Sequence, residues 1–324
     1  MKRLDRPILV TGAAGFIGSH LVERLLAESH RVVGIDDFCG FYDPGAKRRN
    51  LESVGDCEDF DLRELDICDR DGVLEVFDRY RPRAVIHLAA MAGVRPSVEQ
   101  PDRYVRVNVD GTASVLDAAR RHNCEKLIFA SSSSVYGNNE KAPFAETDAV
   151  DHPISPYAAT KRAGELICHT YWHLYRLPVS CLRFFSVFGP RQRPDLAISI
   201  FLECMKDGRP IPMYGDGSTS RDYTYVDDII DGVVAALEQC DRYRIYNLGG
   251  DRPTRLDDLI GAIERVTGKR ANIDRRSCPP GDVERTWADL TRSRRELEYA
   301  PKTAIEKGIA AQWVWMCRGL GVET

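Results

Sequence analysis

Residues 10–21, VTGAAGFIGSHL, place Gly12, Gly15 and Gly18 between an apolar run typical of a strand and an amphipathic run typical of a helix. Glycines at this spacing let the backbone turn tightly and approach a pyrophosphate, whose charge is favoured at the N-terminus of the following helix. A glycine-rich loop without a ligand is the alternative, but the flanking strand and helix favour dinucleotide binding. The residues predicted to contact the dinucleotide here are Gly12, Gly15, Phe16, Ile17 and Gly18.

The alternation of strand and helix continues to about residue 185. Apolar runs such as AVIHLAA (84–90) and KLIFASSS (126–133) alternate with amphipathic runs such as NVDGTASVLDAARRH (108–122). Strands that are apolar throughout, in a βα rhythm, are typical of a parallel sheet covered by helices on both faces. We therefore expect a doubly wound α/β fold of the Rossmann type.

The rest of the chain predicts a smaller α/β lobe that binds the substrate. Pro and Gly become frequent after about residue 185, and the chain ends in two amphipathic helix-like runs. No low-complexity linker separates this part, so we expect it to pack on the sheet domain. The predicted boundaries are 1–184 for the dinucleotide-binding domain, with a return near 222–250, and 185–221 with 251–324 for the lobe.

The composition disfavours several classes of function. The chain of 324 residues has a net charge of −4 with both signs interspersed, so we expect no nucleic-acid partner. No apolar run reaches the roughly 18 residues of a membrane-spanning helix, and the ten cysteines lack a CxxC pair, which predicts a cytoplasmic protein. His169 and His173 lack the glutamate of a zinc-protease motif, so no metal site is expected. The cluster Lys47-Arg48-Arg49 is interpreted as solvated surface.

The second strand-like run ends in GIDD, residues 34–37. Asp36 is placed to accept hydrogen bonds from the adenosine ribose hydroxyls of a dinucleotide, and its carboxylate would repel a 2′-phosphate. NAD is therefore favoured over NADP. Asp37 is the alternative ribose ligand, and Asp66, after a third strand, is a candidate for the adenine edge or an exposed loop residue.

The stretch SPYAATK, residues 155–161, predicts the start of a helix, because Ser155 is a good N-cap and Pro156 suits the first helical position. Tyr157 and Lys161 then lie one turn apart on one face. For an arbitrary pair at this spacing, the ordinary interpretation is a half-buried Tyr beneath a Lys that extends to solvent. The remaining motifs decide between this interpretation and a catalytic pair.

Six motifs occur together in the order TGAAGFIGSH, ELDICD, HLAA, FASSSSVYG, SPYAATK and RFFSVFGP. In this order and rough spacing, the chain resembles the extended short-chain dehydrogenase/reductase superfamily, specifically its nucleotide-sugar epimerases and dehydratases. The resemblance implies that Tyr157 is the catalytic base, that Lys161 holds the nicotinamide ribose and favours the ionised tyrosine, and that Ser132 bonds the sugar oxygen. It further implies cofactor contacts from Asp66, Ile67, Leu88, Ala89, Ala90 and Asn108.

The dehydratases of that superfamily carry Asp-Glu where this chain has Ser133-Ser134, so the resemblance disfavours elimination. The segments LAAMAGVRPSVEQP and GPRQRPDLAI look most like UDP-glucuronate 4-epimerases. Met91 and Leu196 depart from that pattern, which leaves the sugar open. The expected reaction is NAD-dependent 4-epimerisation of a UDP-sugar through a 4-keto intermediate, with UDP-glucuronate to UDP-galacturonate as the best choice.

The resemblance also implies substrate contacts. Arg193 matches the arginine that would bind the glucuronate carboxylate, with Arg191 and Arg95 as competitors and a structural salt bridge as the alternative for each. Arg221 matches a diphosphate contact, whereas Pro279-Pro280 stand where many hexose epimerases have a second arginine. The predicted substrate residues are Arg95, Ser133, Ser134, Ser186, Arg193, Arg221 and Asp282.

Three alternatives to this assignment remain: a neutral UDP-hexose or UDP-N-acetylhexosamine 4-epimerase, a UDP-glucuronate decarboxylase, and an inactive NAD-sensing protein. The first two share the fold and the three catalytic residues. The third is disfavoured because all three of those residues are present. The resemblance also implies a homodimer, formed through the tyrosine-bearing helix and the helix near residues 103–122.

Overall fold

The computed structural model describes residues 6–277 and 283–318, which form two compact units. The first unit contains the described residues up to Gly137, together with Ala149–Arg183 and Ile230–Tyr246. The second contains Asn138–Asp148, Phe184–Ile229 and the described residues from Asn247 onward. These boundaries differ from the predicted ones, because 138–148 leaves the sheet domain and the return covers 230–246 rather than 222–250.

Thirteen strands lie in the described part of the chain. They are β1 Ile8–Thr11, β2 Val32–Asp36, β3 Phe60–Glu64, β4 Ala84–His87, β5 Lys126–Ser132, β6 Val179–Phe184, β7 Val187–Phe188, β8 Ile211–Tyr214, β9 Ser220–Asp222, β10 Thr224–Tyr225, β11 Arg244–Leu248, β12 Pro253–Arg255 and β13 Ile273–Arg276. Seven of them form one sheet in the order β11-β6-β5-β4-β1-β2-β3. The pairs β1·β2, β1·β4, β2·β3 and β4·β5 are parallel.

The strand order reverses between β1 and β4, which are neighbours although two strands separate them in the sequence. In open α/β sheets, ligands bind at the carboxyl ends of the strands beside such a reversal. Both strands are fully buried, as expected for apolar strands covered on both faces. The doubly wound sheet predicted from the sequence is confirmed.

Twelve α-helices, one π-helix and one 3₁₀ turn accompany the described strands. They are α1 Phe16–Ala27, α2 Pro44–Arg49, α3 Arg70–Tyr80, α4 Val94–Glu99, α5 Pro101–Val105, the π-helix Arg106–Gly111, α6 Thr112–Arg121, the 3₁₀ turn Ser133–Tyr136, α7 Pro156–Tyr175, α8 Ala197–Asp207, α9 Val226–Gln239, α10 Leu256–Thr267, α11 Thr291–Leu297 and α12 Ile305–Arg318. Across the described residues, no helix combines the length and apolar character needed to span a bilayer.

Helix α7 begins as its sequence predicts. The Ser155 side chain accepts the N–H of Ala158 at 3.1 Å, and Pro156 occupies the first helical position. The helix ends at Tyr175, and the next residue, Arg176, caps it in the left-handed conformation at φ 57°. The hydroxyl cap and the proline therefore fix where Tyr157 enters the helix.

The second unit is built from small strand pairs rather than from one sheet. Strands β7 and β10 are parallel, β9 and β12 are antiparallel, and β8 and β13 are parallel. Helices α8, α10 and α12 supply its apolar core, with Leu202, Ile263 and Ile309 fully buried. Of the predicted substrate residues, this unit contains Ser186, Arg193 and Arg221.

Candidate cofactor and catalytic site

The turn after β1 suits a dinucleotide. Gly12 has φ +71°, and a Cβ added there would lie 2.8 Å from the backbone nitrogen of Ala89. A Cβ on Gly18 would overlap the carbonyl oxygen of Gly12. Gly15 caps α1 without a side-chain hydrogen bond, and the first turn of α1 carries no acid. The start of α1 therefore presents backbone N–H groups and a positive helix end, which fit a pyrophosphate.

Asp36, at the end of β2, is buried and accepts three hydrogen bonds. Its Oδ2 accepts the N–H of Ala14 at 3.1 Å, and its Oδ1 accepts the N–H of Phe38 at 2.9 Å and Lys47 Nζ at 3.2 Å. The predicted ribose ligand is therefore held rigidly beside the glycine turn. Asp37 is exposed, and its Oδ1 lies 3.8 Å from Lys47 Nζ.

Lys47 corrects the interpretation of its cluster as solvated surface. Its side chain is 7% exposed, whereas Arg48 and Arg49 beside it are exposed. Burial opposes the charge of Lys47, but the carboxylate of Asp36 outweighs it and raises the pKa of the lysine. The predicted ribose ligand thus has a buried cation as its partner, which the sequence reasoning missed.

The other predicted cofactor residues surround the ends of β3 and β4. Asp66 Oδ1 accepts the N–H of Cys68 at 2.9 Å, and Ile67 is buried. The N–H of Leu88 donates to the carbonyl oxygen of Thr11 at 3.1 Å, and that of Ala89 donates to the Thr11 hydroxyl at 3.2 Å. Leu88, Ala89 and Ala90 are half-buried. The loop after β4 is thereby held against the end of β1.

Asn108, in the π-helix, is hydrogen-bonded to the loop that follows β4. Its Oδ1 accepts the N–H of Met91 at 2.8 Å. Its Nδ2 donates to the carbonyl oxygen of Met91 at 2.9 Å and to the hydroxyl of Thr160 at 3.0 Å. Both amide hydrogens are used by protein acceptors, so Asn108 acts on the site through the loop.

Tyr157 and Lys161 occupy the first two turns of α7. Lys161 is buried, its Nζ donates to the carbonyl oxygen of Ala130 at 2.8 Å, and the same atom lies 6.0 Å from the centre of the Tyr157 ring. Burial lowers the pKa of Lys161 to about 8. Tyr157 is half-buried, with its ring edge-on to Tyr104. The lysine is thus enclosed beside the tyrosine and does not extend to solvent.

The serine run at the end of β5 divides into distinct roles. Ser132 Oγ accepts the N–H of Ser134 at 3.1 Å and so caps the 3₁₀ turn. Ser134 Oγ is buried and has no hydrogen-bond partner among the described residues. A buried hydroxyl without a partner is costly unless a ligand supplies one, so its position fits the predicted sugar contact. Ser133 is half-buried.

Ser131 belongs to a buried ionic cluster that the sequence did not reveal. Glu165, one turn beyond Lys161, accepts Arg183 at 2.8 and 2.9 Å and the Ser131 hydroxyl at 2.6 Å. Burial opposes the charge of Glu165, but the bonds from Arg183 outweigh it and lower the pKa of the carboxyl. The cluster, Glu165-Arg183-Ser131, joins α7 to the ends of β5 and β6.

The predicted sugar residues of the second unit lie in half-buried segments. Arg193 Nε and Nη2 donate to the two carboxylate oxygens of Asp195 at 2.9 and 2.7 Å, so the salt-bridge alternative is realised for this arginine. Arg191 has φ 65°. Ser186 is half-buried, and Arg221 Nη1 donates to the carbonyl oxygen of Ser220 at 2.9 Å.

Two predicted residues are less informative. Arg95, in α4 of the first unit, is exposed. Asp282 and the Pro279-Pro280 pair lie outside the described residues. Within residues 6–277 and 283–318, no group of three or more His, Cys, Asp or Glu side chains could hold a metal ion.

A doubly wound sheet, a glycine turn at the start of α1 and a buried lysine one turn from a tyrosine define the class of short-chain dehydrogenase/reductase. The comparison with protein families is more specific. The NAD dependent epimerase/dehydratase family matches residues 8–249, and the chain belongs to that family.

The chain is similar to a curated UDP-glucuronate 4-epimerase and to epimerases of solved structure. A UDP-glucuronate 4-epimerase of Thermodesulfobacterium geofontis is 41% identical, over 95% of this chain and 95% of that protein. The UDP-glucuronic acid 4-epimerase from Bacillus cereus, solved with UDP-glucuronic acid and NAD, is 37% identical with a TM-score of 0.90, over 96% and 99% of the chains. A UDP-glucose 4-epimerase from Thermotoga maritima, solved with UDP-glucose, is 32% identical with a TM-score of 0.90, over 97% and 99%.

Proposed function

We propose that this protein is an NAD-dependent 4-epimerase of UDP-sugars, with UDP-glucuronate as its preferred substrate. The observation that carries the proposal is the enclosed Tyr157–Lys161 pair on α7 beside the glycine turn of a dinucleotide fold. Bound NAD would supply a reversible hydride acceptor for C4 of the sugar. The similar proteins from Thermodesulfobacterium geofontis and Bacillus cereus support glucuronate as the sugar.

The cofactor would be held by groups already in place. The N-terminus of α1 would face the pyrophosphate, and Asp36 would accept hydrogen bonds from the adenosine ribose hydroxyls while Lys47 balances its charge. Lys161 would donate to the nicotinamide ribose. The proposed cofactor residues are Gly12, Gly15, Phe16, Ile17, Gly18, Asp36, Asp66, Ile67, Leu88, Ala89, Ala90, Tyr157 and Lys161, with Asn108 acting through the loop.

Tyr157 would move the proton. A positive charge on Lys161 favours the tyrosinate, which takes the proton of the sugar 4-hydroxyl as general base and returns it after the ketone has turned over in the site. Ser132 uses its oxygen to cap the 3₁₀ turn, so its own proton can be donated to the sugar oxygen. The unpartnered Ser134 hydroxyl would bond the sugar.

A glucuronate carboxylate needs cationic or donor groups, and Arg193 is the proposed cation. Its pairing with Asp195 orients the planar guanidinium, a group whose geometry suits a carboxylate. Holding the carboxylate also matters for the product, because a 4-ketone is β to it and loses carbon dioxide if the two align. The proposed substrate residues are Arg95, Ser133, Ser134, Ser186, Arg193, Arg221 and Asp282.

The pairing of Arg193 with Asp195 also favours a second candidate, a neutral-sugar 4-epimerase. A guanidinium already neutralised by a carboxylate attracts a second one less strongly, and the UDP-glucose 4-epimerase from Thermotoga maritima has the same TM-score as the glucuronate enzyme. The two candidates share the catalytic residues and differ only in the sugar.

The deciding experiment incubates the purified protein with UDP-glucuronate, UDP-glucose and UDP-N-acetylglucosamine, without added NADH, and separates the products. Conversion of UDP-glucuronate to UDP-galacturonate at the highest kcat/KM supports the proposal. Faster conversion of either neutral sugar selects the second candidate. A UDP-pentose product identifies a decarboxylase, and no conversion of any of them contradicts the epimerase function.

We further propose that the protein acts as a homodimer in the cytoplasm. Val105 of α5 and Leu166 and Leu174 of α7 are 48, 52 and 65% exposed, and these two helices pack together. A second copy would cover this apolar face. Light scattering should give twice the chain mass for the parent and the chain mass for Leu166→Glu, whereas a monomeric parent contradicts the dimer. The nine described cysteines are free thiols, which suits a reducing compartment.

A further inference from the structure

His87, the first residue of the HLAA motif, has no role in the chemistry described so far. It ends β4 and is 1% exposed. Its Nδ1 lies 2.7 Å from the hydroxyl of Thr11, at the end of β1, and its Nε2 lies 3.0 Å from the hydroxyl of Thr112, at the start of α6. The ring therefore links two elements, β1 and α6, through two buried hydroxyls.

The neighbouring bonds fix the tautomer of this ring. The Thr112 hydroxyl donates its one proton to the carbonyl oxygen of Asn108 at 2.7 Å, so His87 Nε2 must be the donor to Thr112. The Thr11 hydroxyl accepts the N–H of Ala89 and gives its own proton to Nδ1. His87 is therefore neutral, with its proton on Nε2 and both nitrogens engaged.

The same series of bonds continues to the catalytic helix. The backbone carbonyl of Asn108 accepts the hydrogen bond from Thr112. The Asn108 side chain donates to the carbonyl oxygen of Met91 and, at 3.0 Å, to the Thr160 hydroxyl. Thr160 donates in turn to the carbonyl oxygen of Tyr157 at 2.8 Å. Every step lies within the first unit, and every linking side chain is at most 3% exposed.

The charge near His87 agrees with a neutral ring. The His87 and Phe129 rings lie 5.9 Å apart, and Lys161 Nζ lies 5.3 Å from the centre of the same Phe129 ring. Burial, together with the charge of Lys161, lowers the pKa of His87 to about 3. A second proton on His87 would place a buried cation near Lys161 and remove the acceptor of the Thr11 hydroxyl.

We propose that His87 is a positioning residue for the cofactor site. As a neutral, doubly hydrogen-bonded ring, it fixes the glycine turn after β1, the loop after β4 and the start of α7 relative to one another. A dinucleotide spans these three segments, so an error in their spacing would misplace the nicotinamide against Tyr157. The turnover part of this inference rests on the proposed function, whereas the NAD-affinity part rests on the family alone.

The test compares two substitutions of His87 with a matched control. His87→Gln keeps one acceptor and one donor at a similar spacing, and His87→Met keeps the bulk but neither. His122→Met makes the same change at another buried histidine of the first unit. That histidine also has two hydrogen-bonded ring nitrogens, to Ala118 and Asp78, and also packs on a phenylalanine, Phe77. For each protein, the NAD dissociation constant, kcat, sugar KM and urea midpoint are measured.

We expect His87→Met to raise the NAD dissociation constant about tenfold and to lower kcat by a similar or larger factor, with a smaller change in sugar KM. His87→Gln should restore both to within about threefold, because the directional bonds return. His122→Met should lose stability but keep both within about twofold. Equal NAD affinity and kcat for His87→Met and His122→Met, or no rescue by His87→Gln, would overturn the proposal.

Two further measurements cover the remaining outcomes. If His87→Met does not fold, Thr112→Val removes the acceptor of Nε2 and the bond from Thr112 to Asn108, but leaves the bond between His87 and Thr11. It should weaken NAD binding by a smaller factor, and an unchanged affinity would overturn the proposal. Nitrogen NMR of the parent should show His87 protonated on Nε2 alone, and a proton on Nδ1 would contradict the assigned bonds. A parent that binds NAD but converts no UDP-sugar contradicts the proposed function and leaves the affinities to decide the role of His87.

Discussion

The dinucleotide side of the first unit and the Arg193 loop of the second unit hold their charged side chains in different ways. In the first, Asp36, Lys161 and Glu165 are at most 5% exposed, and each is bonded to a different element of the fold. In the second, Arg193 is paired with Asp195, two residues away in the same loop, and Asp195 is 38% exposed. Buried groups tied across elements suit chemistry that needs fixed geometry, whereas an ion pair within one loop can exchange partners when a charged sugar binds.

The largest expected effect comes from removing the proposed catalytic hydroxyl, that of Tyr157 in the first unit. Tyr157→Phe should lower kcat by about 10²- to 10⁴-fold, since general acid–base catalysis contributes that much, while NAD binding and the urea midpoint stay near those of the parent. Tyr171→Phe makes the same change more than three turns further along α7 and serves as the control. This variant should keep the turnover of the parent. Substantial epimerisation by Tyr157→Phe would rule out Tyr157 as the base.

The next effect concerns stability and tests the comparison directly. Glu165→Ala leaves Arg183 buried without its carboxylate and should lower the free energy of unfolding by about 3–5 kcal/mol in urea titration. Arg255→Ala in the second unit breaks an exposed pair with Asp257 and should lower the free energy of unfolding far less, because surface ion pairs contribute little. Similar costs would mean that the buried and the exposed ion pair do not differ in the way described.

The double variant Glu165→Met/Arg183→Met separates the ion pair from the burial. Removing both charges leaves no unpaired ion in the core, so this protein should be more stable than Glu165→Ala. A double variant as unstable as the single one would show that the cluster contributes through packing rather than through charge.

A smaller effect is expected at the sugar. Arg193→Ala should lower kcat/KM for UDP-glucuronate by about 30-fold, near the lower limit for loss of a charge-pair partner, because Asp195 already shares the guanidinium. The value for UDP-glucose should change little, since that sugar has no carboxylate. Arg191→Ala tests the competing arginine. Equal losses for both sugars in Arg193→Ala would assign Arg193 to the diphosphate or the fold.

The smallest effect concerns the choice of cofactor. Asp36→Ala should weaken NAD binding about tenfold and improve NADP binding, because Lys47 then keeps only the exposed Asp37, at 3.8 Å, as its counter-charge beside the proposed ribose site. Adding Lys47→Met should remove the gain for NADP. Dissociation constants for both cofactors measure the change. An Asp36→Ala protein with parental affinities for both would show that the ribose ligand lies elsewhere.

The sequence predicted those parts of the site that depend on local spacing. Gly12, Asp36, Tyr157 and Lys161 each lie at a strand end or on one helical turn, where the chain alone determines which groups are neighbours. The doubly wound α/β fold followed from the βα rhythm for the same reason, whereas the order of the strands in the sheet was not predicted. These features need no knowledge of distant contacts.

Other parts depended on tertiary packing. Lys47 looked like its exposed neighbours Arg48 and Arg49, and only the position of α2 beside Asp36 buries it. The Glu165–Arg183 pair joins residues 18 positions apart on a helix and a strand. Segment 138–148 belongs to the second unit through contacts such as the pairing of Phe144 with Ala288. No local sequence pattern predicts this pairing.

The central claim is that the sugar is oxidised and then reduced at the same carbon by a cofactor that stays bound. The most direct test supplies UDP-glucuronate carrying deuterium at C4, in ordinary water and without added cofactor, and examines the epimerised product by mass spectrometry and NMR. We predict that the product keeps the deuterium at C4, because the hydrogen removed from that carbon returns to it. A product whose C4 carries hydrogen from water, or the absence of any epimerised product, would contradict the claim.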